Sequence, residues 1–164
     1  MELLDSFRIL ARYNRGANAR LYDCCAQLDP VEYRLQRRGS FGSVHALLNH
    51  MLLGDRIWMS RFAGGGKTTP PLDTVLFDTF AELHPARLKE DEEIEAFFEK
   101  TDEDFLRRPL RYTNSLGKDS TYPAPLAVLH FFNHQTHHRG QVHVMLSQTN
   151  VKPPALDLPR ILNP

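Results

Sequence analysis

Leu3, Phe7, Leu10, Asn14, Ala17, Leu21, Cys24 and Leu28 recur at alternating spacings of four and three residues, the seam of a bundle helix. The spacing predicts a first helix over about 3–28, ended by Asp29-Pro30, with Asn14 the one strongly polar residue on its seam. Gly39-Ser40-Phe41-Gly42-Ser43 offers a fresh start, and a second helix is expected from Ser43 to Phe62, stopped by Gly64-Gly65-Gly66. Residues 64–78 read as a loop, and its Gly66-Lys67-Thr68 triplet is a flexible turn, because a phosphate loop needs an earlier glycine and a preceding strand. A third helix is expected with its main body over Pro85–Lys100, the run Glu90-Asp91-Glu92-Glu93 forming a solvated outer face. Leu110-Arg111-Tyr112-Thr113 and Ser120-Thr121-Tyr122 flank a turn and predict a short hairpin-like connection. The fourth helix then runs from Pro125 to Gln148, and the proline-rich tail 151–164 is expected to lie extended over the bundle. Four amphipathic helices with one small β element make an all-α four-helix bundle.

The helical projection also sorts the histidines. At about 100° per residue, the fourth-helix face around His134 and His138 collects Ala127, His130, Phe131, Gln141, Val142 and Met145. Two inward imidazoles one turn apart can bind a single divalent ion. On the second helix, His50 shares a face with Ala46, Leu47, Leu53, Gly54 and Ile57, where the small residues leave room for an ion or ligand. His45 and Asp55 each lie roughly 140° round that helix from His50, so Asp55 reads as a capping or salt-bridge partner. His137 and His143 fall at the edge and on the opposite face of the fourth helix and are not expected as ligands. His50, His134 and His138 therefore form a candidate metal triad with an open position for water or substrate. Gln141 and Asn14 could orient a ligand or hydrogen-bond within the core, Trp58 could line a cavity or fill the core, and Arg139 could meet an anion or an internal carboxylate.

Composition narrows the chemistry further. The chain has 164 residues, which at roughly 100–200 residues per domain makes a single domain over 1–164. Its 20 Lys+Arg balance 20 Asp+Glu, so a nucleic-acid partner is unsupported. No apolar run reaches the roughly 18 residues of a membrane span, and the N-terminus has no signal-peptide pattern. Cys24 and Cys25 are adjacent on a helix and do not suit a disulfide, which favours a reducing cytoplasm. Five of the eight histidines fall between His130 and His143. Gln135 follows His134, so there is no H-E-x-x-H and no built-in carboxylate base, and no paired E-x-x-H motifs suggest a di-iron bundle.

Three stretches carry a family resemblance: Leu10-Ala-Arg-Tyr13-Asn14-Arg-Gly-Ala17-Asn18, Leu47-Leu-Asn49-His50 with Asp55-Arg56-Ile57-Trp58, and Asn133-His134-Gln-Thr-His137-His138-Arg139-Gly140-Gln141. The chain resembles the DinB/YfiT-like family of metalloenzymes over nearly its whole length, departing at Gly16, where relatives often carry a bulky aromatic residue. The resemblance implies an up-down-down-up bundle, often a homodimer, with a divalent metal on His50, His134 and His138. It also implies a thiol-dependent transferase or isomerase that uses a low-molecular-weight thiol against a small electrophile. The family shares its name with a DNA polymerase but implies no nucleic-acid activity. Zinc and nickel are the first expectations for an all-imidazole site and iron a further one. The competing readings are a non-catalytic metal- or ligand-binding bundle, closed by His130 or a loop carboxylate, and a hydrolase using metal-bound water.

Overall fold

The computed structural model describes residues 1–65, 70–114 and 116–163. The elements run α1 Leu3–Cys25, α2 Pro30–Arg34, α3 Val44–Phe62, α4 Phe80–Lys100, α5 Glu103–Arg107, β1 Pro109–Thr113, β2 Asp119–Pro123, α6 Ala124–Leu146 and α7 Leu158–Leu162. The four expected helices are α1, α3, α4 and α6, and β1 pairs antiparallel with β2 to make the expected hairpin. The Gly66-Lys67-Thr68 turn lies outside the described residues.

Local chemistry explains where the boundaries differ from expectation. Asp29 does not merely end α1; its carboxylate accepts from the N–H groups of Val31 and Glu32 and starts the five-residue α2, with Pro30 in its first turn. The third long helix begins at Phe80, ahead of Pro85, because Thr79 and Glu82 form a reciprocal capping box. The tail is not wholly extended: it turns into α7, pinned to α1 by Tyr13 Oη donating to the Leu156 carbonyl (2.8 Å) and Arg20 to that of Arg160 (2.9 Å). That docking accounts for Gly16. A Cβ there would stand 2.5 Å from Ile161 Cγ2, so the tail occupies the space a larger side chain would need.

Two hydrophobic clusters fill the bundle, and a polar layer separates them. Phe7, Phe62, Ile94, Phe98 and Phe131 pack in one cluster; Leu21, Leu47, Met51, Leu83 and Val142 pack in the other. The order in which each helix visits these clusters gives its direction: α1 and α6 run one way, α3 and α4 the other. That is the up-down-down-up arrangement. The closest packing joins α1 to α4 and α6, and α3 to α4 and α6, so each long helix has two principal neighbours.

The polar layer draws on all four long helices. Arg87 of α4 donates to Asp55 of α3 (2.5 Å) and to Asp91 one turn along (3.1 Å). Asn18 donates to Asp91 (2.8 Å), Gln135 to Asp55, and Arg139 to the side-chain oxygens of Asn14 and Asn18. Two carboxylates face two guanidinium groups, and buried amides join them, so the layer is charge-balanced. This corrects the reading of the acidic run: Glu90 and Asp91 are buried, and only Glu92 and Glu93 are solvated. It also settles Asp55 as the salt-bridge partner expected of it.

Candidate metal centre

The triad sits on the seam between α3 and α6, at the level of the polar layer. The centre of the buried stripe on α6 belongs to Val128, Phe131, Gln135, Arg139 and Val142, with His134 and His138 on its flank toward α3. The core-facing direction is therefore Gln135's and Arg139's, and the histidines look across at His50 instead. Their ligand nitrogens all lie within 4.8 Å of one another, and among the described residues this is the one His/Cys/Asp/Glu group able to hold a metal ion. Gly54 is what lets α6 approach: a Cβ on it would stand 3.0 Å from His134 Cε1. The small residue beside His50 thus seats His134 and also lines the cavity next to the triad, as its size led one to expect.

Hydrogen bonds fix which nitrogen faces the centre in two of the three rings. His50 Nδ1 lies 2.8 Å from the Leu72 carbonyl and His138 Nδ1 2.9 Å from Gln141 Oε1. A carbonyl oxygen only accepts, and Gln141, turned with its oxygen to His138, does the same, so both rings carry their proton on Nδ1 and turn an Nε2 lone pair inward. His138 Nε2 and His134 Nε2 are 3.0 Å apart. Two nitrogens each about 2.0–2.1 Å from one ion are separated by roughly 2.9–3.4 Å, so this spacing fits shared coordination. His134 Nδ1 is buried and has no hydrogen-bond partner among the described residues. Phe41 stacks on His50 (ring centroids 4.0 Å, 27°) and meets His138 edge-on, shielding one side from water.

The electrostatics favour the neutral, ligating form. Burial, reinforced by the neighbouring imidazoles, pushes His134 down to about 3. Burial pushes His138 down to about 4 against the pull of Gln141, and lowers His50 against the Leu72 carbonyl. All three are uncharged at neutral pH, as a divalent ion requires.

The remaining expected residues separate. Gln141 holds His138 and also contacts His137 (3.1 Å), so it acts on a triad member. Asn14 is not brought to the triad; it is fully buried between Asp91 and Arg139 in the polar layer. Arg139 lies in that layer too, under the Tyr13 ring. Trp58 is half-buried and lines a cavity of about 260 Å³ together with His50, His134, His130, Arg61 and Tyr112. His130 packs on Trp58 with ring centroids 5.0 Å apart and stands outside the triad. His45 points away, its Nε2 3.1 Å from the Phe77 carbonyl. His137 stands outside the triad as well.

Several contributors gave little signal in the sequence. Leu72 acts through its backbone, which no side-chain pattern reveals. Asn49 pins the loop that carries it, accepting from the N–H groups of Leu76 and Phe77 (2.8 and 2.9 Å). Phe41 could have been noticed as a lone aromatic in a glycine-serine turn, and Tyr112 and Tyr122 as aromatics on one face of the hairpin.

Comparison with known sequences agrees with this arrangement. The profile of the DinB family matches residues 4–164. The chain is 31% identical over 149 residues to Protein DinB of Bacillus subtilis (strain 168), covering 85% of this chain and 83% of that one.

Proposed function

Since the chain belongs to the DinB family and turns three neutral imidazoles toward one point, we propose that it is a divalent-metal-dependent enzyme using a low-molecular-weight thiol against a small electrophile. The observation that carries this reading is the convergence itself, with two of the three Nδ1 protons already committed to carbonyl oxygens. His50, His134 and His138 would hold the ion, zinc or nickel first and iron next. When bound, the ion supplies Lewis acidity that brings a coordinated thiol's pKa toward neutrality. Leu72 and Gln141 keep two rings in the ligating tautomer, Phe41 excludes water from one side, and Trp58 bounds the space for the electrophile.

The reacting thiol belongs to a second small molecule. Cys25 is buried, which pushes its thiol up to about 12, and Cys24 donates to the Lys152 carbonyl at the α1–tail contact. Neither lines the cavity beside the triad. A water-activating hydrolase is disfavoured by the commitment of Asp55, the carboxylate on α3 nearest in sequence to His50, to Arg87 and Gln135. The homodimer implied by the resemblance is part of the same proposal. Its surface would be the exposed residues Leu129, Gly140 and Val144 on α6, away from the cleft beside the triad.

Metal analysis of protein purified without added metal, repeated on His50→Ala and His138→Ala, tests the site. Near-stoichiometric metal in the parent and its loss in both variants is expected; equal, negligible metal in all three refutes the triad. Conjugation of glutathione, bacillithiol or mycothiol to an electrophile should then run faster with metal-loaded protein. Bound metal without any acceleration would leave the non-catalytic bundle in its place.

A further inference from the structure

We propose that the cleft adjoining the triad is a binding site for a flat aromatic ring, so that the electrophiles this protein accepts carry an aryl group. The ring site deepens the metal-and-thiol reading, which supplies only the chemistry at the ring's substituent; the cleft itself needs no ion. A cavity of about 290 Å³ opens between α3, the hairpin and the start of α6, lined by Trp58, Tyr112, Tyr122, Leu126, Ala127 and His130. Four of those six walls are aromatic and the other two aliphatic, and none is a carboxylate, a lysine or an arginine. The volume is at the small end of the roughly 300–1,000 Å³ range of ligand pockets, suited to one or two fused rings.

The wall rings pack on one another in both of the geometries aromatic pairs prefer, a cluster that an added ring can extend. Tyr112 meets Trp58 edge-on (5.5 Å, 71°) and stacks with Tyr122 (6.1 Å, 27°), while His130 tilts against Trp58 (5.0 Å, 56°). Aromatic pairs favour edge-to-face and offset stacking with centroids about 4.5–7 Å apart, so a planar guest finds partners on several sides, where a saturated ring finds only area. Arg61 stiffens two of these walls, its guanidinium 4.0 Å from the Tyr112 ring centroid and 4.7 Å from that of Trp58. Tyr122, one of these walls, is 44% exposed, so a ring seated in the cleft would cover apolar surface that the fold leaves open to water.

Position links the cleft to the chemistry. The second cavity, lined by His50 and His134, shares Trp58, Tyr112 and His130 with the first. A ring seated against the hairpin therefore has its substituent directed along Trp58 toward the histidines. The aryl group would be the handle and the substituent the reacting part, a division in which remote binding orients the reacting centre.

Trp58 is the sole tryptophan, so its indole N–H gives one resolved signal inside the proposed site. Chelator-stripped, ¹⁵N-labelled protein is titrated separately with 1-naphthol, phenol and cyclohexanol while that cross-peak is followed. A saturable shift is expected with 1-naphthol, at least fivefold weaker apparent affinity for phenol, and no saturation with cyclohexanol over the same concentrations. Tyr122→Ser, at an exposed hairpin position, should weaken 1-naphthol binding at least threefold with the rest of the spectrum unchanged. A shift that stays linear, a cyclohexanol response equal to that of phenol, or unaltered binding in Tyr122→Ser overturns the proposal. Because the protein is stripped, ring binding with no metal uptake would sink the metal reading alone, and metal uptake with no ring binding would sink this one alone.

Discussion

Replacing Arg87 by methionine removes the cation that contacts both Asp55 and Asp91. Its guanidinium is 1% exposed; Nη1 donates to Asp55 Oδ2 at 2.5 Å, Nε to Asp91 Oδ2 at 3.1 Å, and Nη2 stands 3.0 Å from Asp91 Oδ1. Methionine fills much of the same volume, so the loss is electrostatic rather than one of packing. Breaking a buried pair on one side costs about 3–5 kcal/mol, because the other charge is left buried and uncompensated. Here two carboxylates are left, with Arg139 still nearby through Asn14 and Asn18, so the middle of that range is expected. For a domain of this size a loss of about 4 kcal/mol lowers Tm by roughly 8–16 °C, at about 2–4 °C per kcal/mol.

The pH dependence identifies the cause. Burial already pushes Asp91 up to about 6 and raises Asp55, while Arg87 opposes both shifts. Without Arg87 both carboxyls rise further. A carboxyl whose folded pKa lies above its unfolded value of about 3.9 contributes stability that is present at low pH and lost as pH rises through the folded value. The deficit of Arg87→Met relative to the parent should therefore be largest at pH 7–8 and shrink toward pH 5. Urea unfolding followed by far-UV circular dichroism at pH 5, 7 and 8 measures it, and Arg87→Met/Asp55→Asn/Asp91→Asn should regain part of the loss at pH 7. A deficit under about 1 kcal/mol at pH 7, or one that does not change between pH 5 and 8, would refute the buried-charge argument.

Other expectations concern the triad. Gly54→Ala pushes a methyl to 3.0 Å from His134 Cε1; by analogy with outer-shell mutations, zinc affinity measured by competitive chelation should fall about tenfold or more. Unfolding free energy should meanwhile stay within about 1 kcal/mol, since alanine also gains helix propensity. Gln141→Ala releases the His138 tautomer and should weaken zinc by about 10–100-fold, whereas Gln141→Glu, which still accepts from Nδ1, should recover most of it. Three imidazoles with the ordinary pKa of about 6.5 would lose roughly a thousandfold in affinity at pH 5.5 through proton competition. With His134 held to about 3, His138 to about 4 and His50 lowered, the loss at pH 5.5 should be far smaller, which titrations at pH 7.5 and 5.5 would show. Ion-free protein should lose stability as pH falls below about 6.5, because the unfolded chain takes up protons that the folded histidines refuse until their own lower values are reached.

Spacing and turn chemistry indicated the four long helices and the hairpin, and spacing singled out the three histidines that the fold brings together. His134 and His138 lie one turn apart on one helix, and His50 shares a face with small and apolar neighbours, both short-range facts of spacing. The polar layer was not legible in the same way. Asp55 and Arg139 could be read as ion-pair residues, but nothing in the spacing names their partners, and Asp91 sits inside an acidic run that reads as a solvated face. A charge is tolerable in a core only when a partner from another helix meets it, and that pairing is a property of the assembled bundle. The same reasoning separates Gln141, which reaches its histidine within one helix, from Asn14, whose partners come from α4 and α6. It applies as well to Leu72 and to Tyr112 and Tyr122, whose roles depend on where a loop carbonyl and a hairpin face come to rest against α3. Spacing within a helix fixed which histidines could act together; packing between helices decided what holds them, what shields them and what lies beside them.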